Sequence, residues 1–221
     1  MMENLIRTES LLGKQAMEKL SKAKVLIAGL GGVGGYCLEA LARSGVNKFV
    51  LIDADKFEQS NLNRQMLCLY SDIGMLKVDK AEERVHLINP NAEIEKHAIF
   101  LNSENIDGFL DGIDLVVDAI DSVESKCCLL NKCIEKKIDV VSSMGAALRV
   151  DPTLVRTADI SKTTCDPLAK AVRKNVSSGV ECVYSLEKPM PYNGEFLGSI
   201  ATVTGTFGLV LAQLAINKII K

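Results

Sequence analysis

Residues 24–35 read KVLIAGLGGVGG, a short apolar run followed at once by closely spaced glycines. The run 24–28 is typical of a strand buried on both faces, and periodic apolar residues as far as about Ser44 predict a helix after it. A strand, a glycine-rich turn and a helix form the arrangement in which a phosphate group approaches the backbone at a helix N-terminus. We therefore expect nucleotide binding, and the motif by itself leaves NAD, FAD and ATP open. The candidate loop residues are Gly29, Gly31, Gly32 and Gly34.

Strand and helix patterns alternate along the chain on both sides of this motif. Their alternation up to residue 142 predicts a mostly parallel sheet with helices on both faces, and the pattern beyond Val150 is less regular. We predict an α/β, Rossmann-like fold with a C-terminal mixed-sheet extension. The predicted strands are 24–28, 49–52, 94–100, 114–119, 139–142, 154–160 and 180–185. The predicted helices after the glycine motif are 77–88, 103–110, 122–136 and 167–176, with an N-terminal helix at 11–21.

One domain accounts for the 221 residues, because no repeat and no Pro/Gly-rich linker divides the chain. Within it we assign residues 1–22 to an N-terminal arm and helix and residues 23–145 to a nucleotide-binding core. Residues 146–221 form a substrate-side extension in this interpretation.

The last part of the chain contains an uncharged stretch, 196–217, which is long enough to cross a membrane. Its glycines and threonines favour a different interpretation. We predict a buried loop or strand over 198–203 and a core helix from about Phe207 to Ile220. No membrane association is expected.

The composition excludes several classes of protein. A formal net charge of −2 offers no global electrostatic argument for nucleic-acid or membrane binding. Aromatic residues make up 5% and tryptophan is absent, so an extended aromatic surface for single-stranded nucleic acid is not expected. Seven cysteines, an odd number, suit reduced thiols better than a disulfide framework. With no signal-peptide pattern at the N-terminus, we expect a cytoplasmic protein.

Polar residues gather after the predicted strands, at the sheet edge where α/β proteins bind ligands. Asp53 follows Gly29 by 24 positions and suits a ribose hydroxyl. Only two histidines, His86 and His97, are present, and their placement does not suit the acid/base group of a dehydrogenase. The other candidates suit a triphosphate and its metal, and they are Asp55, Asn61, Arg64, Lys77 and Asp121.

Six blocks of sequence within the first 125 residues carry a resemblance. They are Arg7-Thr8-Glu9, GLGGVGG at 29–35, LIDAD at 51–55, NLNRQ at 61–65, Gly74-x-x-Lys77 and DAIDS at 118–122. In order and spacing they resemble the ThiF/MoeB/HesA superfamily, adenylating enzymes that share their domain with ubiquitin-activating proteins. The resemblance implies a homodimeric enzyme that requires ATP and magnesium and adenylates a carboxylate.

The resemblance also implies a role for each matching residue. Asp53 holds the ribose, Asp121 supports the magnesium-bound triphosphate, and Arg7 reaches into the neighbouring subunit's site. A planar guanidinium supplied in this way suits charge developing on phosphate. The implied catalytic residues are Arg7, Arg64, Lys77 and Asp121. The implied nucleotide-binding residues are Gly29, Gly31, Gly32, Gly34, Asp53, Asp55, Asn61, Arg64, Gln65 and Lys77.

Further blocks narrow the match. They are NPNAEI at 89–94, SMGA at 143–146, DPT at 151–153, 158–174, GVECVYSLEKP at 179–189 and GSIATVTGTFG at 198–208. These blocks are similar to the tRNA threonylcarbamoyladenosine dehydratases. The likeness implies that the threonyl carboxylate of a modified adenosine near the tRNA anticodon is adenylated, and that ring closure then expels AMP. It names tRNA as a partner and admits a sulfur-transfer protein as another. The chain departs from the pattern at 147–149, where Ala-Leu-Arg replaces a stretch with Gly and Asn.

Local charge gives modest support for tRNA. Between Arg149 and Lys174, six basic against three acidic residues leave +3 in a chain that is −2 as a whole. Lys170, Arg173 and Lys174 fall at helical spacing, which predicts one face that contacts phosphate. A solvated helix face explains the same charges.

The cysteines separate branches of the superfamily. Sulfur-carrier-activating relatives usually carry two Cys-x-x-Cys pairs that bind zinc, and this chain contains no such pair, so no zinc site is expected. Cys127, Cys128 and Cys133 are interpreted as small buried residues of a helix, and Cys182 as an unreactive thiol on an apolar strand. Two alternatives stay open: adenylation of the C-terminus of a ubiquitin-like sulfur carrier, and an NAD(P)-binding redox or sensor protein.

Overall fold

A seven-stranded sheet forms the centre of the protein. The computed structural model describes residues 5–176, 178–192, 194 and 196–221. The strands are β1 (Lys24–Ala28), β2 (Lys48–Ile52), β3 (Glu93–His97), β4 (Leu115–Asp118), β5 (Asp139–Ser143), β6 (Val155–Asp159) and β7 (Glu181–Ser185). Their order across the sheet is β3-β2-β1-β4-β5-β7-β6. Every neighbouring pair is parallel except β6 and β7, which confirms a mostly parallel sheet with a mixed C-terminal end.

Helices cover both faces of this sheet. Alternate residues of β1 enter different cores: Val25 and Ile27 lie in one hydrophobic cluster, and Leu26 and Ala28 in the other. This is the period of two that a strand imposes on its side chains. The helices are α1 (Ile6–Leu12), α2 (Lys14–Lys22), α3 (Gly34–Arg43), α4 (Lys77–Ile88), α5 (Val123–Lys136), α6 (Pro167–Val172) and α7 (Ala201–Ile220). The first cluster contains side chains of α2, α3, α4 and α7, and the second those of α5 and α6.

The N-terminal helix is the first point at which the structure differs from prediction. The single helix expected over 11–21 is replaced by α1 and α2. Gly13 separates them with a φ of +84°, which a glycine adopts without the steric cost of a side chain.

Three other predicted elements are shorter than expected. Strand β3 ends at His97 rather than Phe100 because its partner β2 ends opposite it, at Ile52. The helix predicted over 103–110 is a single 3₁₀ turn, Ile106–Phe109, and α6 ends at Val172.

Helix α7 begins six residues earlier than predicted, since residues 201–206 are helical. The buried loop or strand predicted over 198–203 is therefore wrong: 201–203 belong to the helix, and Gly198 and Ile200 before it are exposed. The threonines of α7 have low helix propensity, but buried Val203 and Phe207 fix the first turns against the core. The helix is long and apolar enough to cross a membrane by length and composition. It packs against α3 and against β4, β5 and β7, and it is therefore a core helix of this fold.

The strand order shows where on the sheet a ligand is expected to bind. The chain leaves β1 toward β2 and β3 on one side and reaches β4, β5 and β7 on the other. The carboxyl ends of the parallel strands diverge at this switch point, between β1 and β4, and open sheets of this kind bind ligands there.

Candidate active site

The glycine loop between β1 and α3 is held in a tight turn. Gly29 has a φ of +90°, and a Cβ added at Gly34 would lie 1.8 Å from the carbonyl oxygen of Gly29. The Leu30 amide donates a 2.6 Å hydrogen bond to Oδ2 of Asp53, at the end of β2. The loop is thus held by the close packing of Gly34 on Gly29 and by the hydrogen bond from Leu30 to Asp53.

Lys77 and two carboxylates form a chain of charges next to this loop. The Lys77 Nζ lies 2.7 Å from Oδ2 of Asp55 and 3.9 Å from Oδ1 of Asp53. Burial raises the pKa of Asp53, although Lys77 and two backbone amides oppose that shift. The backbone brings the lysine here: the Lys77 amide donates to the Asp55 carbonyl at 3.0 Å, closing the long connection after β2.

That connection carries the other polar candidates. The Arg64 guanidinium donates to the Ser60 carbonyl at 2.8 Å and to Oδ1 of Asn63 at 3.0 Å. No carboxylate of the described residues forms an ion pair with it. Asn61 is buried, and Oε1 of Gln65 is a buried acceptor with no donor in the described part of the chain. The segment therefore presents a cation and an unused acceptor.

Asp121 stands at the carboxyl end of β4 on a turn that a buried ion pair supports. The turn begins at Asp118, whose Oδ1 accepts from the Ile120 amide at 3.1 Å and whose Oδ2 lies 2.6 Å from the Lys126 Nζ. Both charged side chains are fully buried, and Ser142 on β5 donates to the same carboxylate at 2.5 Å. Asp121 itself is exposed. The buried pair thus supports the turn that leads to this exposed carboxylate.

These residues line one cleft of about 930 Å³ along the carboxyl edge of the sheet. Gly34 lies beneath the loop, and Arg7 lies on α1, so neither lines it. Neither histidine lines it: the His86 Nε2 is 3.2 Å from the Ala92 carbonyl, and His97 pairs with Glu95. The predicted residues that the cleft brings together are Gly29, Gly31, Gly32, Asp53, Asp55, Asn61, Arg64, Gln65, Lys77 and Asp121.

Comparison with known proteins identifies the family of this chain. A model of the ThiF family matches residues 3–221, nearly the whole chain. The chain belongs to the ThiF family. The tRNA threonylcarbamoyladenosine dehydratase of Bacillus subtilis is 40% identical over 196 residues, which cover 86% of this chain and 77% of that protein.

Solved structures of one relative agree with the sequence match. Crystal structures of the Escherichia coli tRNA N6-threonylcarbamoyladenosine dehydratase TcdA, in complex with AMP and with ATP, both give a TM-score of 0.94. Sequence identity is 33% and 34%, and the matches cover 98% of this chain and 94% and 93% of those chains. The predicted family and fold class are confirmed.

A second buried ion pair, which the sequence analysis missed, supports the far wall of the cleft in this ThiF-family chain. The Arg149 guanidinium lies 3.2 Å from Oδ2 of Asp166, and both side chains are almost fully buried. Arg149 also donates to the carbonyl oxygens of Gly145, Cys165 and Glu187. Asp166 accepts from the Gly145 amide at 3.0 Å and from the Ala169 amide at 2.9 Å. One ion pair therefore joins the three loops that follow β5, precede α6 and follow β7.

The predicted basic helix face is corrected by this part of the structure. Arg173 lies in the turn after α6, where its guanidinium donates to the Thr163 carbonyl at 3.0 Å and to the Thr163 hydroxyl. Arg149 is buried and Arg173 is half-buried, so part of the local charge of +3 is internal. The basic side chains of this segment that stay exposed are Arg156, Lys162, Lys170 and Lys174.

Five of the seven cysteines are buried, including Cys127, Cys133 and Cys182, for which burial was predicted. Cys127 and Cys133 are buried on α5 and Cys128 is half-buried. Burial raises the pKa of the Cys182 thiol on β7 to about 12, which leaves it protonated at neutral pH. Cys165 is the exposed cysteine among the described residues.

Proposed function

We propose that this protein adenylates the carboxylate of threonylcarbamoyladenosine in tRNA and then closes the ring, releasing AMP and pyrophosphate. The observation that carries this proposal is the single cleft, in which a nucleotide loop, Arg64, Lys77 and Asp121 converge in a ThiF-family fold. Its relatives and the structures solved with AMP and ATP support the choice of nucleotide and substrate.

The chemistry explains why ATP is consumed. A carboxylate is a poor acyl donor because its leaving group would be oxide. When a carboxylate oxygen attacks the α-phosphorus, a C–O–P linkage forms and pyrophosphate departs. The carbamoyl nitrogen next attacks the carbonyl carbon, loses its proton and expels AMP. The nucleoside has then lost one water overall, and because the second step is intramolecular no protein nucleophile is required.

The residues of the cleft position and neutralise the triphosphate in this scheme. Asp53 holds the ribose, and the amides of the glycine loop receive phosphate oxygens. Arg64, free of any carboxylate in the described part of the structure, faces the phosphates with Asn61. Lys77 exchanges its exposed partner Asp55 for a phosphate oxygen, and Oε1 of Gln65 accepts from a hydroxyl of the nucleotide.

Magnesium fits this donor set at Asp121. The described residues contain no group of three metal-ligating side chains, so the protein alone does not form a metal cage. Mg²⁺ is commonly held by one or two carboxylates together with substrate phosphates, and Asp121 is an exposed carboxylate in the cleft. When bound, magnesium neutralises charge on the triphosphate.

A homodimer gives Arg7 a role. Leu5, two residues before Arg7, packs near Gly45, which precedes β2 and lies at the amino edge of the sheet. The cleft is at the carboxyl edge, about 17 Å away for strands of this length. The Arg7 side chain is exposed, and so is its neighbour Leu11 at 83%. We therefore assign Arg7 to the cleft of a second copy, where it stabilises charge developing on the α-phosphate.

Three further assignments belong to this proposal. The chain acts in the cytoplasm, where tRNA is found. Its division into an arm at 1–22, a nucleotide core at 23–145 and a substrate-side extension at 146–221 follows the positions of the cleft residues. A sulfur-transfer protein stays a predicted partner, to be tested by co-purification.

Substrate-dependent release of AMP tests the proposal. Purified protein with ATP and magnesium should form AMP and pyrophosphate with tRNA that carries threonylcarbamoyladenosine, and not with unmodified tRNA. Mass analysis of the digested tRNA should show the nucleoside short of one water. AMP formation with a ubiquitin-like sulfur carrier in place of tRNA would favour the alternative substrate. No AMP with either, together with tight NAD binding, would refute adenylation.

A further inference from the structure

The sheet order divides the cleft into two halves. Asp53 follows β2 and Phe100 follows β3, so the ribose and base of ATP belong on the β2–β3 side of the glycine loop. The other half lies over the carboxyl ends of β5 and β7 and is lined by residues 144–149, 189–190, 192 and 197. A volume of about 930 Å³ is at the upper end of the range of about 300–1,000 Å³ for small-molecule sites, which leaves room for a second group beside ATP.

The wall of this second half contains side chains that are apolar and yet exposed. Met190 is 55% exposed, Tyr192 53% and Leu197 62%, and all three line the cleft. Exposed apolar groups concentrated at one side of a binding cleft indicate a contact surface for a ligand. Tyr192 is the aromatic residue among those that line this half.

The backbone is anchored on both sides of Tyr192, at Met190 and at Gly198. The Leu148 amide donates to the Gly198 carbonyl at 2.7 Å, and the Met190 amide donates to the Leu148 carbonyl at 2.7 Å. Leu148 adjoins Arg149, whose buried pair with Asp166 joins the three surrounding loops. The exposed aromatic ring therefore follows an anchored backbone amide by two residues and lies beside loops that the buried pair holds together.

We infer that Tyr192 stacks on the purine base of the substrate nucleoside and thereby sets specificity in the acceptor half of the cleft. This inference rests on the proposed function, which brings a second adenine to the site. A purine offers a flat π-face, and an aromatic side chain recognises it without any hydrogen bond to the base. The two adenines then occupy opposite halves, with the reacting carboxylate and the α-phosphate between them.

Steady-state kinetics with the full chain separate the two halves. Tyr192→Ala should raise KM for tRNA carrying threonylcarbamoyladenosine about tenfold and leave KM for ATP unchanged within about twofold, because stacking on one base is lost. Tyr192→Phe keeps the ring and should restore the tRNA KM. Phe196→Ala is the matched control, since Phe196 is 79% exposed and lies outside the cleft lining. Phe100→Ala should raise KM for ATP and leave the tRNA KM unchanged.

These measurements distinguish failure of the stacking inference from failure of the proposed function. If the wild-type protein produces the cyclised nucleoside but Tyr192→Ala keeps its tRNA KM, the stacking inference is wrong and the proposed function stands. An equal rise of both KM values in Tyr192→Ala, or no rescue by phenylalanine, would assign Tyr192 a structural role instead and overturn the inference. Failure of the wild-type protein to convert this tRNA overturns the proposed function and the inference together.

Discussion

Two glycines of the nucleotide loop exclude a side chain for different reasons, and this difference can be tested. At Gly34 a Cβ would lie 1.8 Å from the Gly29 carbonyl oxygen, so Gly34→Ala forces the backbone apart. At Gly31 the nearest atom to an added Cβ is Nε2 of Gln65 at 3.9 Å, which leaves room in the nucleotide-free protein. Gly34→Ala should lower the free energy of unfolding by about 2 kcal/mol or more.

Gly31→Ala should change that free energy by less than about 1 kcal/mol and still raise KM for ATP about tenfold or more, because the methyl group occupies the path of a phosphate. Urea denaturation and ATP titration measure the two effects. Equal stability of the two variants would contradict the tight packing at Gly34, and normal ATP binding by Gly31→Ala would show that the phosphates do not lie on this loop.

Asp121 offers a second test of a single side chain. It is exposed and forms no hydrogen bond in the described part of the chain, so Asp121→Asn should shift the unfolding temperature by less than about 2 °C. The same change should reduce kcat for AMP formation about 100-fold or more, because a carboxylate at the triphosphate is lost. Normal AMP formation by Asp121→Asn would remove this residue from the site.

Residues that act through a motif could be predicted from sequence, whereas buried partners distant in the chain were missed. Asp53 lies in the LIDAD block and Lys77 in Gly74-x-x-Lys77. No sequence pattern predicts that Arg149 pairs with Asp166. The Lys126–Asp118 pair did leave a signal. Lys126 lies at helical spacing from buried Leu130 and Cys133, and Asp118 closes an apolar strand, which is where a lone charge needs a partner.

The three loops joined by Arg149 and Asp166 should depend on that pair for their stability. Arg149→Gln leaves Asp166 buried without its cation and should lower the free energy of unfolding by about 3–5 kcal/mol. Arg156→Gln is the matched control, because its exposed guanidinium donates only to nearby backbone carbonyls and should cost less than about 1 kcal/mol. Equal costs in urea denaturation would contradict this role of the pair.

Strands were predicted more accurately than helix ends. The apolar runs of β1, β4 and β5 specify buried strands directly, because a central parallel strand is apolar on both faces. The start of α7 was misjudged because its threonines and glycines have low helix propensity, which tertiary packing of Val203 and Phe207 overrides. The break at Gly13 was missed because residues on both sides of it form helices.

In the proposed homodimer, Arg7 completes the cleft of the partner, since it lies at the opposite edge of its own sheet. Arg7→Ala and Asp121→Asn should each be inactive as pure dimers. After subunit exchange, half of the dimers contain one copy of each variant, and each mixed dimer has one intact site. The mixture should therefore recover about a quarter of wild-type activity. No recovery after exchange confirmed by native mass spectrometry would show that Arg7 does not act across subunits.

Net charge describes this protein poorly, because the relevant charges are local. The chain is −2 as a whole, and yet Arg64, Lys77 and the glycine-loop amides face one cleft, while Arg149 and Arg173 are used internally. The sequence could predict by motif that Arg64 and Lys77 lie beside the glycine loop, and both line the cleft there. It could not separate exposed from internal cations in the acceptor half, because that separation depends on loops brought together only by folding.

Oxygen transfer from substrate to AMP tests adenylation most directly. The threonyl carboxylate of the tRNA nucleoside is labelled with ¹⁸O, and the AMP formed with ATP and magnesium is analysed by mass spectrometry. Attack of the carboxylate on the α-phosphorus followed by ring closure predicts one ¹⁸O atom in AMP and one retained in the cyclised nucleoside. Unlabelled AMP, or label in pyrophosphate, would contradict adenylation of this carboxylate.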